Sequence, residues 1–322
     1  MNCRTIIYIF LFFQEKFNYF LLHLFLSQKI METAVPSADF MPFNSTTITD
    51  DIRKTAEEEL NEKESDIQSS LKTLKEYLEN DADLTPCTDD GFLLKFLRAR
   101  KFSVKAAWTL VQKYYSIRIT YPHMFRNFNP TACAAIMQSG IHYFLPYRMK
   151  NGCAILMSRF GKWDPKVSLC EDILKFNLLC NEMAMLNPVT QITGLVTIAD
   201  MKDFSWSHLF NIPISDVKCF INALENCLPV RNKAIHVVNN SSVFSVLFAL
   251  VKPLLNEKVQ NRIYFHGDNL DSLHQQIPPE ILPEDLGGEL SSLPNEDFYS
   301  SLLDMDEFFI RQQNFGYLNS NP

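Results

Sequence analysis

Basic residues gather at three separated places in the chain: Arg98, Arg100 and Lys101; Arg231 and Lys233; Lys258 and Arg262. Arg231 and Lys233 immediately precede an apolar run, and residues two apart in extended chain point the same way. Lys258 and Arg262 share a face at i, i+4 if their segment is helical. Guanidinium and ammonium groups that converge are suited to phosphate. Spacing does not show that the three places converge, and each alone reads as a solvated face. Candidates for catalysis are thinner. His236 lies in one apolar run and His266 ends another, and each reads as a structural histidine. Asp200 closes a third run, where an α/β enzyme places an acid; no nucleophile or second carboxylate lies near it in sequence, so a capping role is the plainer reading. There is no GxSxG elbow, phosphate-binding Walker loop, GxGxxG or HExxH motif, and no metal-ligand spacing. No catalytic residue, cofactor or metal is therefore expected, and the chain reads as a non-enzyme.

Composition narrows the partners. Glycine is scarce at 9 of 322 residues, which argues against a glycine-rich nucleotide cradle, and a net charge of −7 gives no global affinity for nucleic acid. Attraction to an anionic surface would have to be local. Eight cysteines form no CxxC pair, and several sit inside apolar runs where a thiol behaves as a small hydrophobe. A reducing, cytoplasmic compartment without a disulfide framework follows.

The elements that would hold these residues are legible in outline. Residues 1–55 read as a leader and a disordered lead-in. Within them Ile6–Phe13 and Phe17–Leu26 are apolar but separated by Gln14-Glu15-Lys16. Neither reaches the roughly 20 residues of a membrane span. No small-residue cleavage site follows, so a leader ahead of a start at Met31 is favoured over a signal peptide or anchor. Residues 56–124 read as a helical domain: Glu57–Glu79 carries Leu60, Ile67, Leu71, Leu74 and Leu78 near helical spacing, Asp89-Asp90 caps Phe92–Arg100, and Ser103 caps a third helix. Beyond them the pattern alternates. Strands are predicted at Cys153–Phe160, Leu195–Asp200, Ala234–Asn239 and Ile263–His266, with helices at about Leu169–Leu186, Ser215–Cys227 and Ser242–Leu255. Strand–helix repetition with continuously apolar strands implies an α/β fold with a largely parallel, doubly covered sheet. Residues 299–322 form an acidic, aromatic tail.

The Ser242–Leu255 helix is apolar nearly all round, through Val243, Phe244, Val246, Leu247, Phe248, Leu250, Val251, Leu254 and Leu255. It reads either as a plain buried helix or as a lid with one apolar face on a cavity and another available to a membrane. Asn239-Asn240-Ser241-Ser242 before it and Lys252-Pro253 within it allow a hinge.

Several stretches, in order, resemble the CRAL-TRIO lipid-transfer family: Phe92-Leu-Leu-Lys-Phe-Leu-Arg-Ala-Arg100, Trp163-Asp-Pro-Lys-Val167, Leu228-Pro-Val-Arg-Asn-Lys-Ala-Ile-His236-Val-Val-Asn239, Lys252-Pro-Leu-Leu-Asn-Glu-Lys258, Arg262-Ile-Tyr-Phe-His-Gly267 and Ile281-Leu-Pro-Glu-Asp-Leu-Gly-Gly-Glu289. The likeness runs from about Leu71 to Phe298. It implies a small all-helical N-terminal domain followed by a lipid-binding domain, residues 125–298, whose sheet floors a cavity closed by a gate helix. The gate would carry Val243, Phe244, Leu247, Phe248, Leu250 and Val251. The cavity wall would include Leu174, Asn177, Leu178, Asn181, Leu195, Ala199, Phe220, Ala223, Leu224, Ile235, Leu247 and Leu250. Among these, Asn177 and Asn181 stand where tocopherol-binding members have serines, and Leu174 and Ala199 where they have aromatics. A phosphoinositide site would use Arg100, Arg231, Lys233, Lys258 and Arg262. The function implied is a monomeric carrier of one hydrophobic lipid, tocopherol-like or retinoid-like, that associates transiently with phosphoinositide-containing membranes. The alternative is a phosphoinositide-binding adaptor without cargo.

Overall fold

The computed structural model describes residues 40–291 and 295–317; the leader expected at residues 1–30 and the start expected at Met31 lie outside them. Phe40 is buried against the sheet and Pro42 bridges to Tyr147, so the described part of the expected disordered lead-in is ordered. Its anchor is Arg148, fully buried, which donates to the Phe43 and Gly152 carbonyls and to Thr190 Oγ1.

A helical layer comes first. Helix α1 (Asp50–Leu60) starts at Thr49, whose side chain accepts from Ile52 N, and ends at Asn61 in the left-handed region. That break splits the single helix expected over Glu57–Glu79. Helix α1 buries only Ile52, Ala56 and Leu60, which pack on Val189 and Ile192. Helices α2 (Glu64–Glu79), α3 (Asp90–Ala99) and α4 (Val104–Thr120) pack together on an apolar core that continues into the sheet domain. Asp89 caps α3 as its position implies, accepting from Phe92 N.

The sheet has five strands in the order β2 (His142–Phe144), β3 (Ala154–Arg159), β4 (Leu195–Asp200), β5 (Asn232–Val238), β6 (Ile263–Gly267); a short ladder, β1 (Leu84–Thr85) with β7 (Gly316–Tyr317), lies apart. Strands β3 to β6 are parallel and β2 is antiparallel to β3. Three-residue β2 carries too little periodicity to be read from sequence. One face, with Ile155, Met157, Val196 and Ile198, is covered by the chain around Leu273–Leu286. On the other, helix α5 (Cys170–Ala184) covers the middle. Ala199, Ile235 and Val237 face helix α9 (Ser242–Val251) at the carboxyl end. One buried ion pair and one charged hydrogen bond tie the helical layer down. Lys95 Nζ meets Glu182 Oε2 at 3.1 Å, and Arg98 forks onto Glu62 at 2.6 and 2.8 Å while donating to Gln191 Oε1 at 2.7 Å. The expected acidic tail adds two helices, Asn295–Leu303 and Asp306–Gln312, whose Leu302 and Phe309 join the main core. Among the described residues no helix is long and apolar enough to cross a membrane.

Candidate functional site: an apolar cavity beside a basic pocket

The carboxyl ends of β4 and β5 leave a cavity of about 250 Å³. Its floor is Ala199, Ile235 and Val237, its sides are Cys170, Ile173 and Leu174 from the first turn of α5 together with Phe220, Ile221 and Leu224, and its roof is α9. Period-2 alternation explains the floor: Ile235 and Val237 look in, while His236 between them looks out at His266, 3.0 Å away. Asp200 accepts from Asn239 Nδ2 at 2.8 Å and from Lys202 N at 2.9 Å, so it fixes the loop before the roof rather than facing the cavity.

The roof divides into faces. Phe244, Leu247, Phe248 and Val251 line the cavity and Val243 is buried, whereas Val246 and Leu250 are exposed at 41% and 57%. An exposed Leu250 cannot line the wall as expected; it lies on the outer face with Val246, one turn earlier. Ser241 caps the helix, and Asn239 ahead of it sits at φ 53°. Asn240 Oδ1 accepts from Gly267 N. The segment therefore has its own cap and a left-handed turn at its root. Beside it, α7 (Trp206–Phe210) holds Trp206 and Phe210 stacked, ring centroids 5.7 Å apart, with Phe210 79% exposed.

Leu174, Ala199, Phe220, Leu224, Ile235 and Leu247 thus line the cavity, and the other six expected wall residues, Leu250 among them, do not. Leu195 shares a strand face with Ala199 but lies about 13 Å away along β4, in the main core with Leu178. Ala223 opens a π-helical turn, Ala223–Cys227, that packs on α4. Asn177 and Asn181 lie beyond the first turn of α5, where it has crossed onto β2 and β3. They form a buried polar chain: Asn181 Nδ2 donates to Asn177 Oδ1 at 3.0 Å, and Asn177 Nδ2 to Ser158 Oγ at 3.3 Å, which lies 3.0 Å from His142 Nδ1. Partnered by one another, they are not free to meet a ligand. Burial holds His142 down to about 3, so it is neutral. Sequence reasoning gave no cavity role to Met201 and Phe204 at the strand end, to Ile173, or to Trp163; the last two had a signal, Ile173 as neighbour of the expected Leu174 and Trp163 as the first residue of a resemblance motif.

Against the cavity's polar end lies a second pocket of about 380 Å³. All five basic residues singled out line it: Arg100 from the end of α3, Arg231 and Lys233 entering β5, Lys258 from α10 (Glu257–Gln260) and Arg262 after it. Lys101 joins them, turned inward by a left-handed backbone at φ 52°. Burial, then the charges of Arg262, Arg100, Lys101 and Arg231, hold Lys258 below the usual lysine range, as expected where cations crowd. Arg231 Nη1 is buried with no hydrogen-bond partner among the described residues. Gly194, at φ 94°, supports this wall: a Cβ there would stand 2.6 Å from Arg231 O and 2.9 Å from Lys233 Cγ. Two acids also line the pocket, Glu59 and Glu225, and neither was singled out from sequence.

Leu224, Glu225, Asn232, Val259 and Arg262 line both pockets. Arg262 Nη1 donates to Asn232 O across this partition. The seven described cysteines are all buried and unpaired; burial pushes the Cys170 thiol in the cavity wall up to about 12, so it stays protonated near neutral pH. Among the described residues no group of His, Cys, Asp and Glu could hold a metal.

An α/β sheet with an apolar cavity at its carboxyl edge, roofed by one helix and preceded by a helical layer, defines a hydrophobic-ligand-binding class. A CRAL/TRIO domain model matches residues 138–288, and a Pinta-like UBA domain model matches residues 63–134. The chain is 32% identical over 284 residues to the human alpha-tocopherol transfer protein-like protein, covering 88% of this chain and 83% of that one. It is 37% identical over 206 residues to rat clavesin-1, covering 63% and 58%, and 32% identical over 249 residues to human clavesin-2, covering 76% of each. A crystal structure of Sfh5 overlays with a TM-score of 0.44 at 15% identity, covering 83% of this chain and 98% of that one. The chain belongs to the CRAL-TRIO family.

Proposed function

We propose that this protein carries one hydrophobic lipid in the apolar cavity and exchanges it at membranes whose phosphoinositide headgroups occupy the basic pocket. The observation that carries this reading is the shared partition. A cavity that suits an apolar chain and a pocket that suits phosphate are separated by one layer of side chains, including Arg262. Burial stabilises a bound lipid by roughly 0.8 kcal/mol per CH₂, or on the order of 13 kcal/mol gross for about sixteen carbons. Release on a useful timescale then needs an external drive. Each basic residue near an anionic surface contributes about 1 kcal/mol, and Val246, Leu250, Trp206 and Phe210 offer apolar surface beside the roof to enter the bilayer. On this reading the roof helix is the gate, residues 125–298 form the lipid-binding unit, and the protein works between membranes in a reducing compartment, touching them transiently. The cargo's polar end would meet Glu225, Asn232 and Arg262, the polar residues of the cavity wall, and not Asn177 or Asn181.

The test is mass spectrometry of lipids extracted from the purified full chain, followed by transfer of that lipid between vesicles. One stoichiometric apolar species, delivered faster to acceptor vesicles containing phosphatidylinositol bisphosphate, is expected. No bound lipid and no transfer would overturn the carrier reading and leave an adaptor.

A further inference from the structure

Glu59 stands inside the basic pocket. Its Oε2 accepts from Lys233 Nζ at 2.6 Å and from Arg231 Nη2 at 2.7 Å. Although burial raises its pKa, the hydrogen bonds and charges of Lys233 and Arg231 outweigh that and hold the carboxyl below the usual range, so it is ionised. A carboxylate thus already takes the position on these two cations that a phosphate oxygen would take. The rest of the pocket, Arg100, Lys101, Lys258 and Arg262, has no such occupant: among the described residues, no carboxylate lies within ion-pair distance of these four.

The carboxylate also has somewhere else to go. A polar hollow of about 290 Å³ adjoins the pocket, lined by Thr49, Asp51, Thr55, Lys150 and Asn151, and Glu59 and Lys233 line both spaces. The backbone of α1 need not move for the side chain to cross, because Ile52, Ala56 and Leu60 hold the helix on Val189 and Ile192. The Glu59 side chain is 44% exposed.

Resting on the anion-site reading above, we propose that Glu59 is a built-in competitor that sets which phosphorylated headgroups the pocket accepts. A headgroup with a single phosphate is served by Arg100, Lys101, Lys258 and Arg262 and leaves Glu59 in place. A headgroup with two phosphates reaches Arg231 and Lys233 as well, and must displace Glu59 into the neighbouring hollow. The carboxylate therefore lowers affinity for multiply phosphorylated headgroups selectively.

The experiment compares the wild-type full chain with Glu59→Gln for binding to phosphatidylcholine vesicles containing either phosphatidylinositol monophosphate or bisphosphate, and to soluble inositol bisphosphate. Glu58→Gln, which removes the same charge from the exposed face of α1, controls for net charge. Glu59→Gln should tighten bisphosphate binding by roughly three- to thirtyfold, the range for losing one or two partly exposed ion pairs, and change monophosphate binding by less than about twofold, with Glu58→Gln near wild type. Tightening toward the vesicles alone assigns the ligand to a membrane, and tightening toward the soluble headgroup alone assigns it to a free phosphate ester; either supports the competitor. Unchanged or weaker bisphosphate binding by Glu59→Gln, or equal tightening by Glu58→Gln, overturns it. Lys258→Glu separates the two ideas. If it abolishes binding while Glu59→Gln changes nothing, the pocket stands and the competitor falls. If it leaves binding intact, the anion-site reading falls first. A melting temperature within a few degrees of wild type establishes that Glu59→Gln is folded.

Discussion

The apolar cavity and the basic pocket meet at one partition but are built in opposite ways. The cavity is made by local pattern: alternate residues of β5, the carboxyl end of β4 and one face of α9 are apolar because their elements require a buried side. The basic pocket is made by assembly: its cations come in three groups, from around α3, β5 and α10, and the groups are tens to more than a hundred residues apart in sequence. A wall of many apolar contacts yields gradually to substitution, whereas a set of converging charges depends on each member's geometry and sign. Experiments that injure one pocket alone would show how far they are functionally separate.

The sharpest break is Leu247→Asp, which puts a carboxylate into the roof's inner face. Retention of extracted or reloaded lipid should fall by about a hundredfold, because an unpaired charge opposes closure, while binding to bisphosphate vesicles changes by less than about threefold. Gel filtration with labelled lipid and vesicle sedimentation read the two. The reciprocal change, Arg100→Glu with Lys258→Glu, should weaken vesicle binding by roughly tenfold or more and leave lipid retention near wild type. Loss of both properties in either variant would mean that the partition couples the pockets too tightly to be separated.

The polar chain under α5 belongs to neither pocket and gives a stability effect instead. His142 is buried and held near 3 by desolvation, against about 6.5 for an exposed histidine. The folded state keeps the neutral ring. Its contribution is complete above pH 6.5 and is lost as pH falls from there toward 3, because the unfolded chain takes up a proton that the folded chain refuses. Urea denaturation should show a loss of about 2 kcal/mol from this group between pH 7 and pH 5, and His142→Gln should remove most of that difference. The smallest effect is expected from Leu250→Ala on the roof's outer face. It should slow lipid delivery to vesicles a few-fold and alter stability by less than about 0.5 kcal/mol, as for an exposed site.

The sheet was legible because Leu195–Asp200 and its parallel neighbours are continuous apolar runs bounded by turn residues. Helix α1 was not, since Ile52, Ala56 and Leu60 make too narrow a stripe in a segment otherwise polar. The roof helix announced two apolar faces but not their assignment, so Leu250 was placed inward when it faces out. Asn177 and Asn181 were placed by resemblance, and what removes them is a tertiary fact: the path of α5 across β2 and β3. The five cations were individually ordinary, and their meeting follows only from the chain crossing that brings α3 to the ends of β5 and α10. Glu59 was hidden differently. It sits among Glu57 and Glu58 on an acidic helix, and nothing in that run marks the one that faces a lysine 174 residues further on.

Gly194 gives the basic pocket a dependence that no charge map displays. It touches no headgroup and carries no side chain, yet the carbonyl of Arg231 and the stem of Lys233 lie where any β-carbon would have to be. In a saturation scan scored on vesicle binding, tolerance at the pocket's six cations would be graded, with arginine and lysine partly interchangeable. At Gly194 nineteen alternatives would fail together, alanine included, and a neutral residue would stand out as the least negotiable position of an electrostatic site.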